Sequence, residues 1–168
     1  MNGTALIYGI ALSGNALATQ LVRRGWRVLV ADDAPDDAKR SLAAALGTAL
    51  IEAPDEAGIA ALVRDSDIVC PAPGVRETHT VIGAALAAGT PLRTEIDLAY
   101  LWEQARPDGP RPMLAITGTD GKTTTTMLTA QMIEAEGLRS AAVGNTEVPL
   151  AAALDDPVDV FAVECSSF

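Results

Sequence analysis

The sequence predicts an α/β protein made of two parallel-sheet domains, and three observations predict it. Short apolar, β-rich runs alternate with amphipathic helical stretches, the rhythm of βαβ units. Two of the strands run into a glycine-bearing turn directly ahead of a helix pattern, at Gly9 to Gly14 and at Gly118 to Gly121. Between them, Ala105-Arg106-Pro107-Asp108-Gly109-Pro110-Arg111-Pro112 places three prolines in eight residues and reads as an interdomain linker. The expected domains are therefore 1–106, a Rossmann-like unit, and 107–168, the start of a phosphate-loop, ATPase-type α/β unit.

Taken in order, the strand Ala5 to Ile10 precedes a helix over Asn15 to Arg24, and the strand Arg27 to Ala31 precedes a helix over Asp36 to Leu46. Ala49 to Ile51, a helix near Ala57 to Val63, the strand Ile68-Val69-Cys70 and a helix near Thr80 to Ala88 follow. A short strand near Leu92-Arg93 closes the first domain. The second domain reads as strand Met113 to Ile116, helix Lys122 to Glu136, strand Ser140 to Val143 and strand Val158 to Val163.

The turn after Met113-Leu114-Ala115-Ile116 carries the densest chemistry: Thr117-Gly118-Thr119-Asp120-Gly121-Lys122-Thr123-Thr124. A strand, a glycine turn and a helix start aim backbone N–H groups at a phosphate chain. Gly118 and Gly121 let the backbone curl, Lys122 reaches β- and γ-phosphates, and the Thr123 hydroxyl suits Mg²⁺. Isoleucine at 116 stands where the usual pattern has its first glycine, so a generic nucleotide-binding ATPase is not the best fit. Glu164 follows the apolar run Val160-Phe161-Ala162-Val163, at the strand edge where parallel sheets place ligands, and is a second candidate for the metal.

The first domain has its own nucleotide signal in Gly9-Ile10-Ala11-Leu12-Ser13-Gly14, with Asp32 ending the second strand 18 residues after Gly14. That is near the spacing at which a carboxylate meets a ribose. Ala11 replaces the middle glycine and weakens a dinucleotide reading. Asp33, Asp36 and Asp37 read as an acidic run supporting the next helix N-terminus, and His79 as a residue of a polar helix start.

Composition narrows the partners. A net charge of −10 argues against nucleic acid and anionic membranes, which need a basic footprint. No run has the length of a transmembrane span or the pattern of a secretory signal, so a cytoplasmic location is expected. Cys70 and Cys165 read as reduced, buried thiols, and with one histidine no zinc site is expected.

Four stretches appear in an order that resembles the Mur ligase family, most closely its D-glutamate-adding members. They are Gly9 to Gly14 with Asp32, then Ala72-Pro73-Gly74-Val75, then Thr117 to Thr124, then Gly144-Asn145 followed by Val163-Glu164-Cys165-Ser166-Ser167-Phe168. The resemblance implies ATP-dependent amide formation adding D-glutamate to UDP-N-acetylmuramoyl-L-alanine through an acyl phosphate, with ATP and Mg²⁺ as cofactors. It assigns the uridine-diphosphate cradle to Leu12, Ser13, Asp32, Pro73, Gly74 and Asn145. It assigns ATP to Gly118, Thr119, Asp120, Gly121, Lys122, Thr123 and Thr124, catalysis to Lys122 and Glu164, and metal to Thr123 and Glu164.

Thr146-Glu147 departs from the family's usual Ile-Gly, and Asp120 from its frequent Asn. The family's histidine, carbamylated lysine and C-terminal domain lie beyond the segment that matches. Three strands in the second domain are fewer than the four to six usual in a stable sheet, so self-association and no turnover by this chain alone are expected. The alternatives are an NAD- or nucleotide-sensing module and another amide-forming ligase of the Mur or folylpolyglutamate type.

Overall fold

A computed structural model describes residues 3–166. The chain divides into two compact units, residues 1–95 and 96–168.

The first unit is built on the strands β1 (Thr4–Tyr8), β2 (Arg27–Asp32), β3 (Leu50–Glu52) and β4 (Ile68–Pro71), all parallel in the order β3-β2-β1-β4. Ala5, Leu6, Ile7 and Tyr8 are all buried, as a parallel strand covered on both faces requires. The helices are α1 (Leu12–Arg23), α2 (Asp37–Ala45), α3 (Glu56–Arg64) and α4 (Thr80–Ala88). One core cluster joins Leu6, Tyr8, Ala31 and Val69 of the sheet to Ile59 and Val63 of α3 and Val81 and Ala85 of α4. The strand order reverses direction at β1, between β2 and β4. A doubly wound sheet binds its ligands at such a point, outside the carboxyl ends of the strands.

The expected strand at Leu92-Arg93 reduces to one isolated bridge, Val69 with Leu92. Pro91 has no N–H to extend the ladder, and the chain turns directly into α5 (Glu95–Gln104), a helix that periodicity missed.

The second unit holds α5, β5 (Met113–Ile116), α6 (Lys122–Ala135), β6 (Ser140–Gly144), the single-turn α7 (Leu150–Ala153) and β7 (Val160–Glu164). Its sheet is parallel in the order β5-β7-β6, so the last strand is central. The proline-bearing stretch 105–112 is fastened inside this unit rather than standing free. Arg111 forms a bidentate pair with Glu103 of α5, and its guanidinium also donates to the Leu154 and Asp156 carbonyls. The same guanidinium lies 4.5 Å over the Phe161 ring. The Glu103 carboxyl is held below its usual range first by the Arg111 hydrogen bonds, against a smaller opposing effect of burial.

Candidate functional site

The β1–α1 corner is tied to both neighbouring strand ends. Gly9 N–H donates to Ala31 O at 2.7 Å, Ala72 N–H to Tyr8 O at 2.8 Å, and Ile10 N–H to Asp32 Oδ2 at 3.0 Å. Helix α1 starts at Leu12, three residues earlier than the sequence suggests. This start is possible because Gly14 lies against the Gly9 carbonyl, where a Cβ would collide. No side chain among the described residues caps this helix, so the leading N–H groups around Leu12 and Ser13 remain open to an external acceptor. Pro73 and Gly74 are exposed in the turn after β4, closed by Val75 N–H to Ala72 O.

Asp32 is buried and already engaged. Its carboxylate accepts from Ile10 N–H, Ala34 N–H (2.9 Å) and Lys39 Nζ (2.7 Å). Burial alone would raise its pKa, but the Lys39 ammonium and the two backbone donors together hold it below the usual carboxylate range. Its observed function is to clamp the turn, and one lone pair at most remains for a ligand.

Asp33 does not cap α2, whose N-cap is Asp36 accepting from Lys39 N–H. Instead it accepts from the Tyr8 hydroxyl at 2.6 Å and pairs with His79 Nε2 at 2.8 Å. His79 does begin α4, capping Val81 N–H through Nδ1, but it also ties that loop to Asp33.

In the second unit the β5–α6 corner takes the shape the motif predicts. Gly118 and Gly121 have φ of 152° and 73°, and Gly121 is the N-cap of α6, with no side-chain cap on the helix among the described residues. The opening N–H groups over Lys122 to Thr124 are therefore available to an anion. Helices α2, α3 and α4, by contrast, are capped by Asp36, Asp55 and His79. Lys122 Nζ folds back onto the loop, donating to Gly118 O at 2.8 Å and Thr119 O at 3.3 Å. Thr119, Asp120, Thr123 and Thr124 are exposed, whereas Thr126 is buried and returns its hydroxyl to Lys122 O.

Glu164 ends the central strand, in register with Ile116 at the start of the phosphate turn on one side and Gly144 on the other. It is 3% exposed, and its Oε2 has no hydrogen-bond partner among the described residues. A buried acceptor without a donor requires a counterpart. A hard cation fits it, and the exposed Thr123 hydroxyl opens the adjoining helix. Asn145 is exposed and anchored by its N–H to Glu164 O at 2.9 Å. Cys165, partly buried, has its thiol pushed up by burial and then by Glu164. Ser166 O accepts from the Thr117 hydroxyl, while Ser167 and Phe168 lie outside the described residues.

Each unit is thus a parallel α/β unit with a glycine-bearing turn and an uncapped helix start after its first strand. Residues 116–168 match the Mur ligase middle domain. Over 165 residues the chain is 41% identical to the UDP-N-acetylmuramoylalanine–D-glutamate ligase of Frankia casuarinae, covering 97% of this chain and 34% of that one. The enzyme of the same name from Mycolicibacterium smegmatis is 39% identical over 164 residues, 97% of this chain and 32% of its own.

Two solved structures share the fold. A pseudomurein peptide ligase type C from Methanothermus fervidus superposes with TM-score 0.54 at 23% identity, over 98% of this chain and 33% of that one. A murein peptide ligase from Psychrobacter arcticus gives 0.55 at 19%, over 99% and 38%. The chain belongs to the Mur ligase family and spans about a third of the length of the curated relatives it matches. Among the described residues, no helix is long and apolar enough to cross a membrane.

Proposed function

We propose that the chain supplies the acceptor-binding unit and the phosphate turn of an ATP-dependent ligase adding D-glutamate to UDP-N-acetylmuramoyl-L-alanine in peptidoglycan precursor synthesis. The observation that carries this reading is the buried Glu164 Oε2, without a hydrogen-bond partner among the described residues, at the strand position in register with the start of the Gly118–Thr124 turn. A packing turn has no use for an orphaned carboxylate oxygen, whereas a metal–triphosphate site does. The relatives' shared name supplies the substrates.

In the first unit, the open N–H groups at Leu12 and Ser13 and the Pro73–Gly74 turn bind the uridine diphosphate, while Asp32 holds the turn in shape. In the second, the N–H groups over Lys122 to Thr124 hold the triphosphate. Lys122 leaves the Gly118 and Thr119 carbonyls to offset charge on the γ-phosphoryl group. Thr123 and Glu164 hold Mg²⁺, which when bound neutralises phosphate charge and keeps reactants in line. The acceptor carboxylate takes the γ-phosphoryl group and the D-glutamate amine then displaces it.

The test is to replace the matched third of the Frankia casuarinae ligase with residues 1–168 and follow ADP release. D-glutamate-dependent release with formation of the amide supports the reading. A folded hybrid that releases ADP with another amino acid, or binds no acceptor, overturns it.

A further inference from the structure

Asp32 and Asp33 are adjacent in sequence and opposite in situation. The Asp32 side chain is 8% exposed and accepts from three donors, two on Oδ1 and one on Oδ2. The Asp33 side chain is 54% exposed and accepts one hydrogen bond on each oxygen, which leaves a lone pair on each directed away from its supports. Both supports are fixed. The Tyr8 ring is buried in β1, and its hydroxyl stays protonated because burial and then the Asp33 bond push it above its usual range. His79 accepts from Val81 N–H at Nδ1, which puts the ring proton on Nε2, facing Asp33. The Tyr8 and His79 rings lie against each other at 4.9 Å between centroids. This cluster stands at the carboxyl end of β2, where a doubly wound sheet meets the sugar or base of a nucleotide.

We propose that Asp33, rather than Asp32, is the specificity-determining carboxylate that accepts a hydrogen bond from the bound nucleoside, with Tyr8 and His79 its positioning residues. The proposal rests on the uridine-nucleotide reading of the first unit. The ligand group it selects is a neutral donor, a ribose hydroxyl or an imide N–H. A phosphate is repelled by Asp33 and belongs at the uncapped start of α1. Tyr8 and His79 act by freezing the carboxylate, which removes the ordering cost that a free aspartate would carry into the complex.

The experiment is calorimetric titration of the 168-residue chain with UDP, 2′-deoxy-UDP, 3′-deoxy-UDP and N3-methyl-UDP, repeated for Asp33→Ala, Tyr8→Phe and His79→Asn. The wild type is expected to bind at least one analogue about tenfold more weakly than UDP, because the analogue leaves Asp33 short of its donor. The analogue that fails identifies hydroxyl or imide. Asp33→Ala removes the discrimination and binds UDP and that analogue alike. Tyr8→Phe, which keeps the buried ring, and His79→Asn, which keeps a cap for Val81 N–H, each shrink it severalfold. Each ratio is taken within one variant, so a general loss of stability cancels. Full discrimination in Asp33→Ala or in Tyr8→Phe, or a wild type that binds every analogue like UDP, overturns the proposal. A wild type that binds none of the four overturns the uridine-nucleotide reading with it.

Discussion

The β1–α1 and β5–α6 corners share a plan of strand, glycine turn and uncapped helix, yet they are held differently. The first is laced to its neighbours: Gly9 to Ala31, Ile10 to Asp32, Ala72 to Tyr8. Its open N–H groups stand in a turn fixed before any ligand arrives. The second is tied to its neighbouring strand end at Ile116 and Thr117, through Cys165 N–H to Ile116 O and the Thr117 hydroxyl to Ser166 O. The loop beyond is held by its own cation, with Lys122 on the Gly118 and Thr119 carbonyls. A phosphate arriving there has to draw Lys122 away. One corner is preorganised for binding and the other is poised to rearrange, as the proposed acceptor and triphosphate sites require.

The largest expected effect comes from breaking the second corner alone. In the hybrid ligase, Lys122→Ala lowers turnover on the order of 10³-fold, the range for removing one charge-stabilising donor. UDP affinity stays within about twofold, since binding at the laced corner does not use Lys122. Steady-state rates and calorimetry on the same preparation separate the two.

Next in size is Arg111→Ala, which removes the bidentate partner of buried Glu103, leaves it the Arg106 guanidinium at 3.7 Å and the residue-111 N–H, and costs about 3 kcal/mol. Denaturant unfolding should show the loss, with UDP binding retained by the first unit.

Glycine exchanges sharpen the contrast between the corners. Gly14→Ala drives a Cβ into the Gly9 carbonyl and should cost about 1–3 kcal/mol while weakening UDP binding. Gly121→Ala meets open space and costs only its left-handed φ, about 1–2 kcal/mol, with UDP binding unchanged. Equal effects of the two on UDP affinity would contradict the assignment of UDP to the first turn.

The smallest effect is acidic. Asp32 has a lowered folded pKa, so its contribution is complete above about pH 4, the unfolded value, and is lost as pH falls through the folded one. Glu103 titrates in the same sense, so the comparison is a difference. The wild type should lose more stability than Asp32→Asn across that acid window, by equilibrium denaturation at each pH.

Much of this was legible in the sequence, for local reasons. Strand alternation, the two glycine turns, Lys122 and the carboxylate ending an apolar strand all follow from residue type and short spacing. What was not legible depends on contacts far along the chain. Neighbouring aspartates at a strand end point to opposite sides, and only the fold decides that Asp32 meets Lys39 while Asp33 meets Tyr8 and His79. The stretch 105–112 has a linker's composition, but Arg111 stitches it to Glu103 and to the carbonyls of Leu154 and Asp156. Helix α5 follows α4 with no full strand between them, so the strand–helix alternation that revealed the others did not call for it.

Calorimetry of the unaltered 168-residue chain with UDP and with NAD⁺ tests the central claim most directly, because the laced corner is either a uridine-diphosphate site or a degenerate dinucleotide site. The account predicts saturable one-site binding of UDP and only dilution heat with NAD⁺. Saturable NAD⁺ binding with no detectable UDP binding would contradict it.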